Sequence, residues 1–133
     1  MRRPIAYVGP VRTVVFAVCL VGGVCIAPGF EFYRDELDET EQGKLHAMFV
    51  LMGETGVIRD RRKFKHIEGT DLLEFKNFQI RMPCYYLPGG LLVITHGFRK
   101  RCDRIPPCEL ARANRIRQED TLLVLNPEGR KKC

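Results

Sequence analysis

"DLLEFKNFQIRMPCYYLPGGLLVITHGF", residues 71–98, decides the fold. It holds three runs of strand length, "DLLEFK", "FQIRMPCYYL" and "LLVITHGF", rich in the aliphatic, β-branched and aromatic residues that suit a pleated, half-buried surface. "LPGG" joins the second run to the third and marks a hairpin turn. An antiparallel three-strand meander follows, with Arg81 in mid-strand and His96 at the end of the neighbouring strand. Pro83 has no N–H to give to a ladder, so it predicts a bulge or an edge in the middle strand.

Upstream, "TVVFAVCL" (13–20) reads as a first strand buried on both faces and closed by the Gly22-Gly23 turn. Its surroundings, from Met1 to Gly29, also have the outline of a signal peptide: a basic start and an apolar run from Val14 to Ala27. That run falls short of the roughly 20 residues a membrane helix needs. Gly-Gly interrupts it, no A-x-A site follows, and the strand is the expectation. Pro28 then suits the first position of a helix in which Phe30, Tyr33 and Leu37 recur at helical spacing. Asp38 or Thr40 can cap a second helix. Leu45, Met48, Phe49 and Met52 form its apolar stripe, and Gly53 or Gly56 ends it. Downstream, Pro106-Pro107 precedes a helix of about 13 residues, "CELARANRIRQED", after which "TLLVL" adds a short strand. The pattern is α+β: a small domain with a mostly antiparallel sheet, two N-terminal helices and one C-terminal helix, all packed on one face. Residues 1–12 form an N-terminal extension, 13–125 the domain, and 126–133 a basic tail.

The chain has 133 residues, a net charge of +6 and 45% hydrophobic residues, which excludes disordered and fibrous classes. Its basic balance favours an anionic partner. The cations cluster at "RDRRKFK" (59–65) and from Arg99 onward, whereas "EFYRDELDETE" (31–41) is acidic. Six cysteines make no C-x-x-C pair, so neither a zinc site nor a tight disulfide framework is expected. Cys84, in an apolar run, reads as a buried thiol. His46 reads as exposed on its helix, and His66 sits in the basic link. With His96 they are too dispersed, and too far from any carboxylate cluster, to hold a metal. No cofactor is expected.

The segment "FKHIEGTDLLEFKNFQIRMPCYYLPGGLLVITHGFRKR", followed by the helix from Pro107 to Arg115, resembles the HigB branch of the RelE/ParE toxin superfamily, including its phage-derived relatives. Leu73-Glu74-Phe75, Arg81 before Tyr85-Tyr86, His96-Gly97-Phe98 and Lys100-Arg101 carry the resemblance. It spans about residues 13–120 and is strongest from 64 to 117. It implies a curved-sheet RelE-like fold and the toxin of a type II toxin–antitoxin pair. Such a toxin is a metal-independent endoribonuclease that cuts messenger RNA on the ribosome, inhibits translation and arrests growth. It implies a cytoplasmic location, no membrane partner, and a helix-turn-helix antitoxin encoded by the adjacent gene. Some superfamily members poison DNA gyrase instead, so a non-catalytic binder of the same fold, a gyrase inhibitor or a degenerate toxin, is the alternative.

RNA cleavage by 2′-hydroxyl attack needs proton transfer and charge neutralisation at the phosphate. His96 is the expected proton-transfer group, its neutral form favoured by flanking cations. Arg81 is the expected phosphate clamp, with an ion pair to Glu74 as the structural alternative. Arg99, Lys100 and Arg101, with Arg61, Arg62, Lys63 and Lys65, are expected to bind RNA backbone, as are Arg112 and Arg115, which share a helix face. Of Tyr85 and Tyr86, alternation exposes one for base stacking and buries the other. Tyr85 is taken as the stacking residue.

Overall fold

The computed structural model describes residues 2–102 and 104–125. Its strands are β1 (Ile5–Val8), β2 (Thr13–Phe16), β3 (Cys19–Val21), β4 (Val24–Ile26), β5 (Phe64–His66), β6 (Leu73–Asn77), β7 (Ile80–Leu87), β8 (Leu91–Ile94) and β9 (Phe98–Arg99). The helices are α1 (Pro28–Asp35), α2 (Glu39–Thr55) and α3 (Pro107–Leu125). One seven-stranded sheet runs in the order β1-β2-β8-β7-β6-β5, with β9 also on β7, and β3 and β4 form a separate hairpin. Antiparallel pairing holds throughout except between β2 and β8, where Thr13 to Phe16 lie parallel to Leu91 to Ile94. No helix among the described residues is long and apolar enough to cross a membrane.

The expected meander is β6-β7-β8. Pro83 sits where the ladder on one side of β7 breaks: pairing with β8 stops at Cys84, and pairing with β9 begins at Arg81. The carbonyl of Pro83 still accepts from the Thr95 amide at 2.8 Å. Pro28 begins α1. Asp38 caps α2 through a reciprocal capping box with Glu41, and Gly56 closes it in the left-handed region, φ +81°. Leu45, Met48, Phe49 and Met52 form the buried stripe of α2. They pack with Phe16, Phe75, Met82, Cys84 and Ile94 into the larger core. Cys84 is fully buried, which pushes its thiol far above the usual range. The five described cysteines are free thiols.

The expected extension 1–12 contributes to the fold, because β1 is an edge strand of the main sheet and Arg3 is anchored to α3. Three expectations are corrected. The strand 13–20 breaks after Phe16, and its remainder turns into the β3–β4 hairpin at Gly22-Gly23. "TLLVL" continues α3 to Leu125, since no glycine or proline intervenes to stop it. The helices do not share one face. Along β7 and β8 alternate residues enter different cores: Cys84, Leu92 and Ile94 meet α1 and α2, while Tyr85 and Val93 meet Ala113 and Ile116 of α3. The expected tail, 126–133, lies outside the described residues.

Asp120 fastens α3 to the sheet. Its buried carboxylate receives Arg3 Nη2 at 2.8 Å, the Val18 amide at 2.9 Å and the Tyr85 hydroxyl at 3.1 Å. Each of these donors is thereby satisfied in the interior, where an unpaired one is costly.

Candidate nucleic-acid interface

The helix α3 covers the half of its sheet face that carries Val15, Tyr85 and Val93. The adjoining half carries charge. Residues opposite one another in register share a face. Lys65 lies opposite Glu74, Lys76 opposite Arg81, and Arg81 opposite Phe98. Arg81 also shares its face with Tyr85, four residues on. Three neighbouring strands thus bring Lys65, Glu74, Lys76 and Arg81 together, and Lys100, just beyond β9, is close enough to act on Glu74 and Lys76.

Glu74 is at the bottom of this group, 1% exposed. Burial raises its pKa, although Arg81, Lys65, Lys76 and Lys100 all pull the other way. Arg81 is 9% exposed, and its Nε lies 3.7 Å from Glu74 Oε1. Neither atom has a hydrogen-bond partner among the described residues. Arg81 Nη1 donates to the carbonyls of Phe78 and, at 2.9 Å, Ile80. The ion pair anticipated as the structural alternative for Arg81 is therefore present, but loosely made. Burial, Lys65 and Arg81 together depress the pKa of Lys76. A partly exposed lysine with a lowered pKa, beside an arginine, can bind a phosphate and exchange a proton near it.

The histidine signal resolves differently. His96 is 0% exposed, contrary to its expected place in an open catalytic site. Its ring stacks on Phe98, with centroids 5.5 Å apart. Nε2 lies 3.0 Å from Glu109 Oε1 and Nδ1 3.0 Å from the Thr95 hydroxyl. In a neutral ring protonated at Nε2, Nε2–H donates to Glu109, while the Thr95 hydroxyl, also 3.2 Å from the Pro83 carbonyl, divides its one proton between that oxygen and Nδ1. The pKa is pushed down to about 4, first by burial and only secondarily by Arg112 and Arg115, while Glu109 opposes the shift. Cations do favour the neutral form as expected, yet they are Arg112 and Arg115 of α3, and burial outweighs them. Gly97 is equally structural, since a methyl group there would overlap the Phe32 ring of α1.

The expected RNA-binding cations separate into groups. Arg99 is drawn away: its guanidinium holds Glu41 through two bonds of 2.8 and 2.9 Å and the Glu36 carbonyl at 3.1 Å, tying β9 to the start of α2. Arg62 pairs with Asp60 at 3.1 Å. Arg61, Lys63 and Arg101 are exposed. Arg112 and Arg115 are also exposed, Arg115 lying 3.9 Å from Glu119. Tyr85 is corrected outright, because it is a core residue bonded to Asp120 and overlaid by the Arg117 guanidinium at 4.5 Å. Tyr86 is the exposed member of the pair, under Arg12 at 4.3 Å.

Sequence reasoning missed Lys76, Glu74 as a buried acid, and Phe78. The signal was present in "EFKNF": an acid and a lysine two apart on a strand share one face.

Comparison with known protein families and with curated proteins finds no match.

Proposed function

We propose that this protein is a RelE/HigB-like toxin of a type II toxin–antitoxin system, an endoribonuclease that cuts messenger RNA on the ribosome. One observation carries the reading: the uncovered half of a sheet face gathers Lys65, Lys76, Arg81 and Lys100 around a buried Glu74. A cluster of that sign suits a phosphodiester, whose charge grows in the transition state of 2′-hydroxyl attack. The α+β order of two helices, a meander and a final helix agrees with the resemblance in the sequence.

In this reading Arg81 and Lys100 neutralise the scissile phosphate. Lys76, with its lowered pKa, takes the proton-transfer role first expected of His96. Glu74 keeps the cations gathered. The partner that silences the activity is a cognate antitoxin, and a ribosomal target places the protein in the cytoplasm.

Burial of His96 with both ring nitrogens engaged favours a second reading, a binder of the same fold that blocks its target without cleaving RNA. The test is induction in growing cells with mapping of messenger-RNA ends, for the parent chain, Lys76→Ala and Arg81→Ala. The nuclease reading expects new 5′ ends that disappear in both variants, while co-purification with the antitoxin persists. Growth arrest with intact messenger RNA would replace it with the binder.

A further inference from the structure

Where the charged sheet face reaches the turn between β6 and β7, it opens into a groove of about 910 Å³ between that turn and α2. Lys76 and Arg81 line both places, so the groove on the α2 side meets the charged face around the β6–β7 turn. The floor is apolar, made by Ala47, Met48 and Leu51 of α2, while Lys44, Arg62 and Lys63 add cations around it. Asp60 is the one acid in the lining, and it is paired with Arg62.

Phe78 projects at the mouth. It is 83% exposed, the most exposed of the large hydrophobic residues among those described, and its backbone is left-handed at φ +53°. A bulky residue rarely adopts that conformation, which glycine or asparagine would take at less cost. No core packing accounts for a phenylalanine there, and its ring has the Lys44 ammonium 5.4 Å from its centroid. An exposed aromatic face among cations, beside an apolar slot, matches an unpaired base with its phosphates.

We propose that this groove binds single-stranded RNA next to the nucleotide held on the sheet face, with one base stacked on Phe78 and its flanking phosphates on Lys44 and Lys63. The inference rests on the RNA-directed reading above and adds a residue to it. An acidic helical peptide could also enter an apolar, cation-rimmed slot. The continuity with the sheet-face cations and the isolated aromatic plane favour RNA, since a helix would bury several side chains and has no need of a stacking platform.

The chain contains no tryptophan, so Phe78→Trp introduces a single indole reporter. The probe is a short 2′-O-methyl RNA, which cannot be cleaved, titrated against the full chain by anisotropy. Phe78→Ala should weaken binding about tenfold at an unchanged salt slope and an unchanged melting temperature. Phe78→Trp should retain affinity, with quenching of the indole on binding. Lys63→Ala should instead shallow the slope of log affinity against log salt by about 0.7. If the parent chain and Arg81→Ala differ in RNA affinity but Phe78→Ala binds like the parent, and the indole is not quenched, the groove is not an RNA site and the sheet-face reading stands. If the parent chain binds no RNA with or without ribosomes, both readings fall. An acidic peptide that requires Phe78 when RNA does not would also overturn the proposal and assign the groove to a protein partner.

Discussion

Two buried ionisable groups, His96 in the link between β8 and β9 and Glu74 on β6, have opposite surroundings. His96 has a partner for each ring nitrogen, an aromatic ring beneath it and a glycine that lets α1 close over the strand. Glu74 has an unbonded carboxylate oxygen, with four cations around it on a face that α3 leaves open. A satisfied polar group in the interior acts as a fastening. A buried acid left short of partners beneath a cationic surface is tolerated where it holds a charged ligand site in shape. The motif that looks most chemical, "THGFRKR", is therefore mostly architecture, and the plainer "EFK" carries the proposed site.

The sharpest way to break this contrast is through activity. Lys76→Ala and Arg81→Ala should each lower RNA cleavage by about 10²–10⁴-fold, the usual scale for a lost proton-transfer or charge-stabilising group. The Lys76→Ala melt should stay near the parent's, whereas Arg81→Ala leaves the buried Glu74 without its counter-charge and should melt earlier, so its cleavage is read per folded chain. Equal activity of Lys76→Ala and the parent in a ribosome-coupled cleavage assay would remove the sheet face as the reaction centre. The fastening at the other end of the sheet should behave in the reverse way. Asp120→Ala strands Arg3, the Tyr85 hydroxyl and the Val18 amide, and should cost about 3–5 kcal/mol by denaturant titration. Ile116→Ala, a truncation in the core under α3, should cost about 2–5 kcal/mol. In either case the fraction still folded should retain its specific activity.

For His96 the expected readout is pH. Its folded pKa lies below the ordinary histidine value of about 6.5, so the unfolded chain binds the extra proton first. Stability should be unaffected above about pH 6.5 and fall as pH drops from there towards 4, at up to about 1.4 kcal/mol per unit. His96→Gln should flatten that limb. The salt bridge of Glu41, whose pKa is lowered to about 2 chiefly by Arg99, loses its contribution in a separate window below about pH 4.5. A limb that persists unchanged in His96→Gln would mean another group controls it. The smallest effect is expected from Arg99→Ala. An exposed pair contributes under about 1 kcal/mol, and RNA affinity and its salt slope should not move, because this cation already serves Glu41.

Periodicity and turn chemistry made most of the architecture legible. The α2 stripe and cap, the Pro28 start of α1 and the 87–91 hairpin are all local, set by residues a few positions apart. The parallel pairing of β2 with β8, the assignment of α3 to the opposite face and the recruitment of residues 5–8 as an edge strand are contacts between distant segments, which periodicity does not encode. The site followed the same division. Arg81 could be placed on a strand beforehand, but the burial of His96 depends on where Glu109 of α3 arrives, 13 positions later. Tyr85 and Tyr86 were known to face apart. Which of them is core depended on Asp120, a residue of the last helix.

The parallel pair β2–β8 also has a consequence for the order in which the protein can form. β2 leaves the ribosome well before β8, so its Val14, Val15 and Phe16 have no partner strand on the β8 side until Leu91 to Ile94 have been made. At usual synthesis rates that wait is on the order of ten seconds. Arg3 waits longer still, for Asp120 in the final helix. The Arg3–Asp120 bond therefore forms only after the sheet strands have been made, and a product truncated before α3 would leave β1 and β2 without that anchor.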